Sequence, residues 1–77
     1  MQWTLAPLHE VLSETQANRA LRETQMTREN MPLLRYSDAA LQRLIASGVE
    51  VKIGDIIRIT RESFTTGTVK YYRRVIR

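Results

Sequence analysis

Two β-branched runs near the C-terminus constrain the fold most. Ile56-Ile57-Arg58-Ile59-Thr60-Arg61 alternates, with Ile57 and Ile59 on one face, and Val69 to Ile76 forms a partner run. Glu62 to Thr68, between them, is polar and contains Gly67, the composition of a hairpin loop. Val51-Lys52-Ile53 leads into the first run through a Gly54-Asp55 turn. On the second run the odd positions are Val69, Tyr71, Arg73 and Val75, and the even positions are Lys70, Tyr72, Arg74 and Ile76. Arg73 thus shares a face with three residues of core type, and a guanidinium there must reach solvent or pair.

The N-terminal two thirds carry helical punctuation. Leu8 to Leu12 reads as a short edge strand, with Pro7 placed where a missing N–H is tolerated. Ser13 and Gln16 form a capping-box pattern, Leu12 and Ala17 a hydrophobic staple, and Ala17, Ala20 and Leu21 an apolar stripe. These predict a helix over Glu14 to Thr24, with Glu14 favoured by the helix dipole. Thr27 starts one further turn. Pro32 disfavours helix at Met31, so Met31 to Arg35 is expected to be extended. Ser37 or Asp38 caps a second helix over Ala39 to Ala46, with Leu41, Leu44 and Ile45 as its stripe and Gly48 as its stop. The expected fold is α+β, one domain over residues 1–77: a small mixed sheet, two main helices packed on one face of it, and a C-terminal β-hairpin.

A chain of 77 residues buries only roughly 60% of its unfolded surface, and its stability is expected to be a few kcal/mol at most. It has no cysteine, which excludes disulfides and thiolate zinc sites and favours an intracellular setting. Its supports are therefore a sheet, helices, and a partner covering exposed apolar surface. No apolar run is long enough to span a membrane, and Met1 to Leu5 lack the basic cluster and apolar core of a signal peptide.

Net charge is +4, and its distribution is uneven. Met1 to Asp55 hold six basic and seven acidic residues, whereas Ile56 to Arg77 hold six basic residues and one acid, Glu62. A basic end fits nucleic acid, an acidic protein surface, or a solvated edge protected from aggregation.

Enzyme chemistry is missing. His9 is the single histidine, no His/Cys/carboxylate cluster has metal-ligand spacing, and no glycine-rich phosphate loop is present, so no cofactor is expected. Ser13, His9 and Asp38 supply the residue types of a hydrolytic triad, but most short sequences do so. His9 reads as a strand residue hydrogen-bonded to backbone. Tyr71-Tyr72-Arg73-Arg74 combines the stacking and phosphate-contacting groups of single-strand binders, yet tyrosines in strands more often pack or pair across strands.

From Gly54 onward the sequence, GDIIRITRESFTTGTVKYYRRVIR, resembles the signature of one RNA polymerase family. The family comprises the C-terminal domain of the eukaryotic fifth subunit, shared by polymerases I, II and III, and the small archaeal polymerase subunit that corresponds to it. Its signature is a Gly-Asp turn, an alternating strand ending in Arg-x-Ser-x-Thr-x-Gly, then a strand with Tyr-Tyr-Arg-x-Val. Gly54, Asp55, Arg61, Ser63, Thr65, Gly67, Tyr71, Tyr72, Arg73 and Val75 match it without a gap. Pro7, His9, Leu12 and Ser13 are similar to the family's Pro-x-His-x-x-Leu-Ser opening, and Met31-Pro32 and Ser37-Asp38 stand where the family has Leu-Pro and an Asp-Pro helix start. Ala39 and Phe64 replace family prolines, Trp3 stands where many members have histidine, and the stretch from Asp38 to Asp55 is a few residues longer than in typical members. The pattern is that of a divergent member.

The resemblance implies a non-catalytic subunit of a DNA-directed RNA polymerase. It would dock on the largest subunit, contact other polymerase subunits, support assembly and the lower jaw, and meet downstream DNA only through the complex. No membrane or small-molecule substrate is implied. The setting would be the cytoplasm of an archaeon, the nucleus of a eukaryote, or a host cell or virion for a virus. Arg61, Ser63, Thr65, Gly67, Tyr72 and Arg73 are the expected partner-facing residues, since arginine and tyrosine are typical interface anchors. Pro7, His9, Ser13, Pro32, Gly54 and Asp55 are expected to be structural. The competing reading is a stand-alone, small basic nucleic-acid-binding module.

Overall fold

Caps set the two helices. Ser13 Oγ accepts from the Gln16 N–H (3.2 Å), and Gln16 Oε1 accepts from the Ser13 N–H (3.0 Å), so two otherwise orphaned donors are satisfied where α1 (Glu14–Thr24) begins. The helix ends as Gln25 turns left-handed (φ 56°) and the Met26 N–H reaches back to the Leu21 carbonyl. Thr27 and Asn30 then exchange side-chain-to-backbone hydrogen bonds, holding one isolated turn. Asp38 Oδ1 accepts from the N–H groups of Ala40 and Leu41 (3.0 and 3.3 Å), which starts α2 (Ala39–Ala46), and Gly48 at φ 103° follows its end.

The structure, a computed structural model, describes residues 8–63 and 67–77. Four strands, β1 (Leu8–Val11), β2 (Leu33–Arg35), β3 (Ile56–Ser63) and β4 (Gly67–Ile76), form one mixed sheet in the order β1-β3-β4-β2. β1 and β4 flank β3 antiparallel, and β2 runs parallel to β4. The hairpin strands are longer than the residue pattern suggests. The stretch expected to loop, Glu62 to Thr68, is paired as far as Ser63 opposite Gly67. Antiparallel pairing satisfies the backbone of polar residues as well as apolar ones, so composition alone ends the strands too early. Gly67 has φ 74°, a conformation that favours glycine.

The α+β class, the mixed sheet and the C-terminal hairpin match the expectation. The placement of both helices on one face does not. One core cluster holds Leu34, Leu41, Val51, Ile57, Ile59 and Val75, with Leu44 and Ile45 of α2 packed against it. The other holds Leu12, Ala17, Ala20, Met31 and Ile56, with Leu21 and Tyr72 against it. Ile56 and Ile57 are neighbours on one strand and point to opposite sides. The helices thus cover opposite faces, and the central strands are sandwiched. The signal was the unbroken Ile56-Ile57 pair, since a strand buried on both faces loses its alternation.

The turn into β3 is fastened to β4. The Gly54 N–H donates to the Val75 carbonyl (2.8 Å) and the Val75 N–H to the Asp55 carbonyl (2.9 Å). Asp55 Oδ2 accepts from the Lys52 N–H (2.8 Å), and Gly54 takes φ 96°.

Candidate docking site

Among the described residues, β1 pairs with β3 as far as Thr60 and β2 with β4 as far as Arg74, and the hairpin face that α2 packs against runs on beyond them. On that face Ile59 lies opposite Tyr71, and Ile57 opposite Arg73. Ile59, Arg61, Tyr71 and Arg73 line a depression of about 140 Å³. Its floor is apolar, because Ile59 is buried, and its rim carries two guanidinium groups and a tyrosine that is 46% exposed. Arg73 Nη1 donates a long hydrogen bond (3.5 Å) to the Leu33 carbonyl, and its side chain is otherwise exposed. The arginine that looked anomalous therefore takes the solvent route. Of the three core-type residues sharing its face, only Val75 is buried; Val69 is half-buried and Tyr71 exposed.

The opposite face carries a different polar line. Glu10, Arg58 and Tyr72 stand side by side across β1, β3 and β4. Arg58 Nε and Nη2 donate to Glu10 Oε1 and Oε2 at 3.2 and 3.1 Å, a two-point pairing. The hydrogen bond to Glu10 raises the Arg58 pKa above its ordinary value, against a lowering by desolvation and with help from the Glu10 and Tyr72 charges. Tyr72 packs against the α1 core on this side. Arg74 shares the face, and its Nε is buried with no hydrogen-bond partner among the described residues.

The six residues expected to face a partner are therefore not one patch. Arg61 and Arg73 share the depression, Tyr72 lies on the reverse, and Gly67 sits at the hairpin end opposite Ser63. Pro7, Thr65 and the side chain of Ser63 lie outside the described residues. Tyr71 belongs with Arg61 and Arg73, and strand alternation was the signal that finds it. Among the residues expected to be structural, His9 lies opposite Ile59, Ser13 caps α1, and the Pro32 carbonyl accepts from the Arg74 N–H (2.9 Å).

Ser13 and Asp38 are each engaged in starting a helix. Among the described residues no three His, Asp or Glu side chains gather as metal ligands, and no helix is long and apolar enough to cross a membrane. The depression offers what charge and shape give: an apolar seat flanked by cations, suited to a carboxylate-bearing chain.

Comparison with known proteins decides the family. The family model "RNA polymerase Rpb5, C-terminal domain" matches residues 1–75. The chain belongs to this family. Among its relatives are archaeal proteins named DNA-directed RNA polymerase subunit Rpo5, which share this Rpb5 C-terminal-domain sequence along most of their length. The one from Sulfurisphaera tokodaii is 45% identical over 75 residues, which covers 97% of this chain and 83% of the relative. That from Archaeoglobus fulgidus is 38% identical over 72 residues, 94% of this chain and 88% of its own. That from Nitrosopumilus maritimus is 39% identical over 70 residues, 91% and 78%. The depression thus sits on the hairpin that carries the family's Tyr-Tyr-Arg-x-Val signature.

Proposed function

We propose that this chain is a non-catalytic subunit of a DNA-directed RNA polymerase. It docks on the largest subunit and supports assembly and the lower jaw near downstream DNA. The observation that carries the reading is the family match over residues 1–75, reinforced by relatives that are polymerase subunits along most of their own length. The fold fits the role. A small domain with two thin cores gains stability from a partner that binds only the folded form. The groove of Ile59, Arg61, Tyr71 and Arg73 supplies an anchor of the composition common at interfaces. The chain works inside the cell, with other polymerase subunits as neighbours and DNA as an indirect contact.

The test is retrieval of the tagged chain from its source cells. Recovery of the largest polymerase subunit, resistant to nuclease and to moderate salt, supports the role. Recovery of nucleic acid alone, lost on nuclease treatment or with a steep salt dependence, supports the nucleic-acid-binding module instead.

A further inference from the structure

Strand β2 covers only one end of β4. It pairs with Arg74, Val75 and Ile76 and stops, while β4 continues back to Gly67. The Arg74 N–H donates to Pro32, and the Ile76 carbonyl accepts from the Tyr36 N–H (2.7 Å), so even-numbered residues of β4 aim their backbone groups at the β2 side. Val75 aims its own at the β3 side, through Gly54 and Asp55. The register with β3 runs without a bulge from Ile56–Arg74 to Ser63–Gly67, so this parity holds along the strand. Thr68, Lys70 and Tyr72 therefore present N–H and C=O groups to a side where no strand stands among the described residues.

The sequence explains why β2 stops. Continued in its parallel register, β2 would place Pro32 opposite Arg73, and the Tyr72 carbonyl would need the N–H that Pro32 lacks. The preceding residue, Met31, is buried in the α1 core, so the chain leaves the sheet there.

We propose that this open edge of β4, residues 68–72, is a strand-addition site for an extended, acidic segment of a polymerase partner subunit. The backbone ladder would hold the segment. Charge selects its character. Arg73 borders the edge on the α2 face, with Arg61 one strand behind it, and Lys70 borders it on the α1 face. Glu62 is the single acid between Ile56 and Arg77. A second copy of the chain would set Lys70 against like charge. A nucleic acid cannot complete a backbone ladder. This inference rests on the polymerase reading above and adds how the docking is made.

Amide hydrogen exchange tests it, on the tagged full chain alone and within polymerase purified through that tag, with residue-level fragmentation after quenching. Thr68, Lys70 and Tyr72 amides should exchange freely in the chain alone and slow at least about a hundredfold in the complex. Tyr71 and Arg73 amides, paired to β3, should be protected in both. A complex in which the three even-numbered amides stay fast overturns strand addition and leaves the docking role standing. Failure to retain any polymerase overturns both, and protection that appears in a dimer of the chain alone overturns the acidic-partner assignment. Lys70→Pro removes an outward N–H without touching the β3 ladder, and by circular dichroism it should stay folded while losing polymerase at least about tenfold. Lys70→Ala, which keeps the donor, should lose no more than about threefold. A folded Lys70→Pro chain that retains polymerase like wild type refutes the proposal; if that variant does not fold, the exchange measurement decides.

Discussion

Truncating Ile56 and Ile57 by one methyl group each tests the two-sided core directly. Ile56 is 1% exposed within the α1 cluster, and Ile57 is 0% exposed within the α2 cluster. Ile→Val in a packed core costs about 0.5–1.5 kcal/mol, from lost transfer energy plus the small cavity left behind. Each single variant should therefore lose about 1 kcal/mol. In a domain of this size that lowers the melting temperature by about 4–8 °C. The two side chains leave the strand in opposite directions and belong to separate clusters, so the double variant should lose close to the sum, about 2 kcal/mol. Urea unfolding followed by circular dichroism reads this as a lower midpoint with an unchanged slope. With both helices on one face, one of these adjacent residues would face water and its truncation would be nearly free. A loss below about 0.3 kcal/mol at either position refutes the sandwiched arrangement.

Ser13→Ala should cost about 1 kcal/mol in the same assay, because the Gln16 N–H loses its acceptor and the capping box opens. The Glu10–Arg58 pair, roughly one third exposed, should show a coupling of about 0.5–1 kcal/mol in a Glu10→Gln, Arg58→Met cycle, shrinking in 1 M salt. Since the Arg58 pKa is raised, its contribution is complete below the ordinary arginine value and lost only as pH climbs through the raised one, so titration of Arg58 should leave stability flat across neutral pH. Arg61→Ala and Tyr71→Ala should each reduce recovery of polymerase by about tenfold or more while shifting the melting temperature little, as both side chains are exposed on the groove rim. Loss of folding in the Arg61 or Tyr71 variants would make that groove structural.

Most of the local structure was legible because it is local. Ser13 with Gln16, Asp38 before Ala39, and Gly48 after α2 act over three or four residues, and a sequence displays such spacing directly. What was hidden depends on pairings distant in the chain. Ile56 next to Ile57 is ambiguous until β3 is known to be central, between β1 and β4. Tyr72 is as attractive a contact residue as Tyr71 until the register puts it behind the sheet, beside Arg58. The family signature names both tyrosines and the arginine after them without saying which face each serves. That division comes from the two-residue period of the strand combined with which helix lies on which side.

The same constraints link the uncovered edge to the charge of the C-terminal third. Pro32 ends β2, and among the described residues it leaves the outward backbone groups of Thr68, Lys70 and Tyr72 on β4 without a neighbouring strand, an edge that in a free chain invites edge-to-edge association. Among the described residues, β1 pairs with β3 as far as Thr60. Basic side chains stand at these same places, Arg61 on β3 and Lys70 and Arg73 on β4, and set like charges against a second copy laid along either edge. An acidic strand meets no such repulsion. The positive excess of residues 56–77 thus discriminates between two partners that offer the same backbone: it penalises self-pairing and favours the segment of opposite charge.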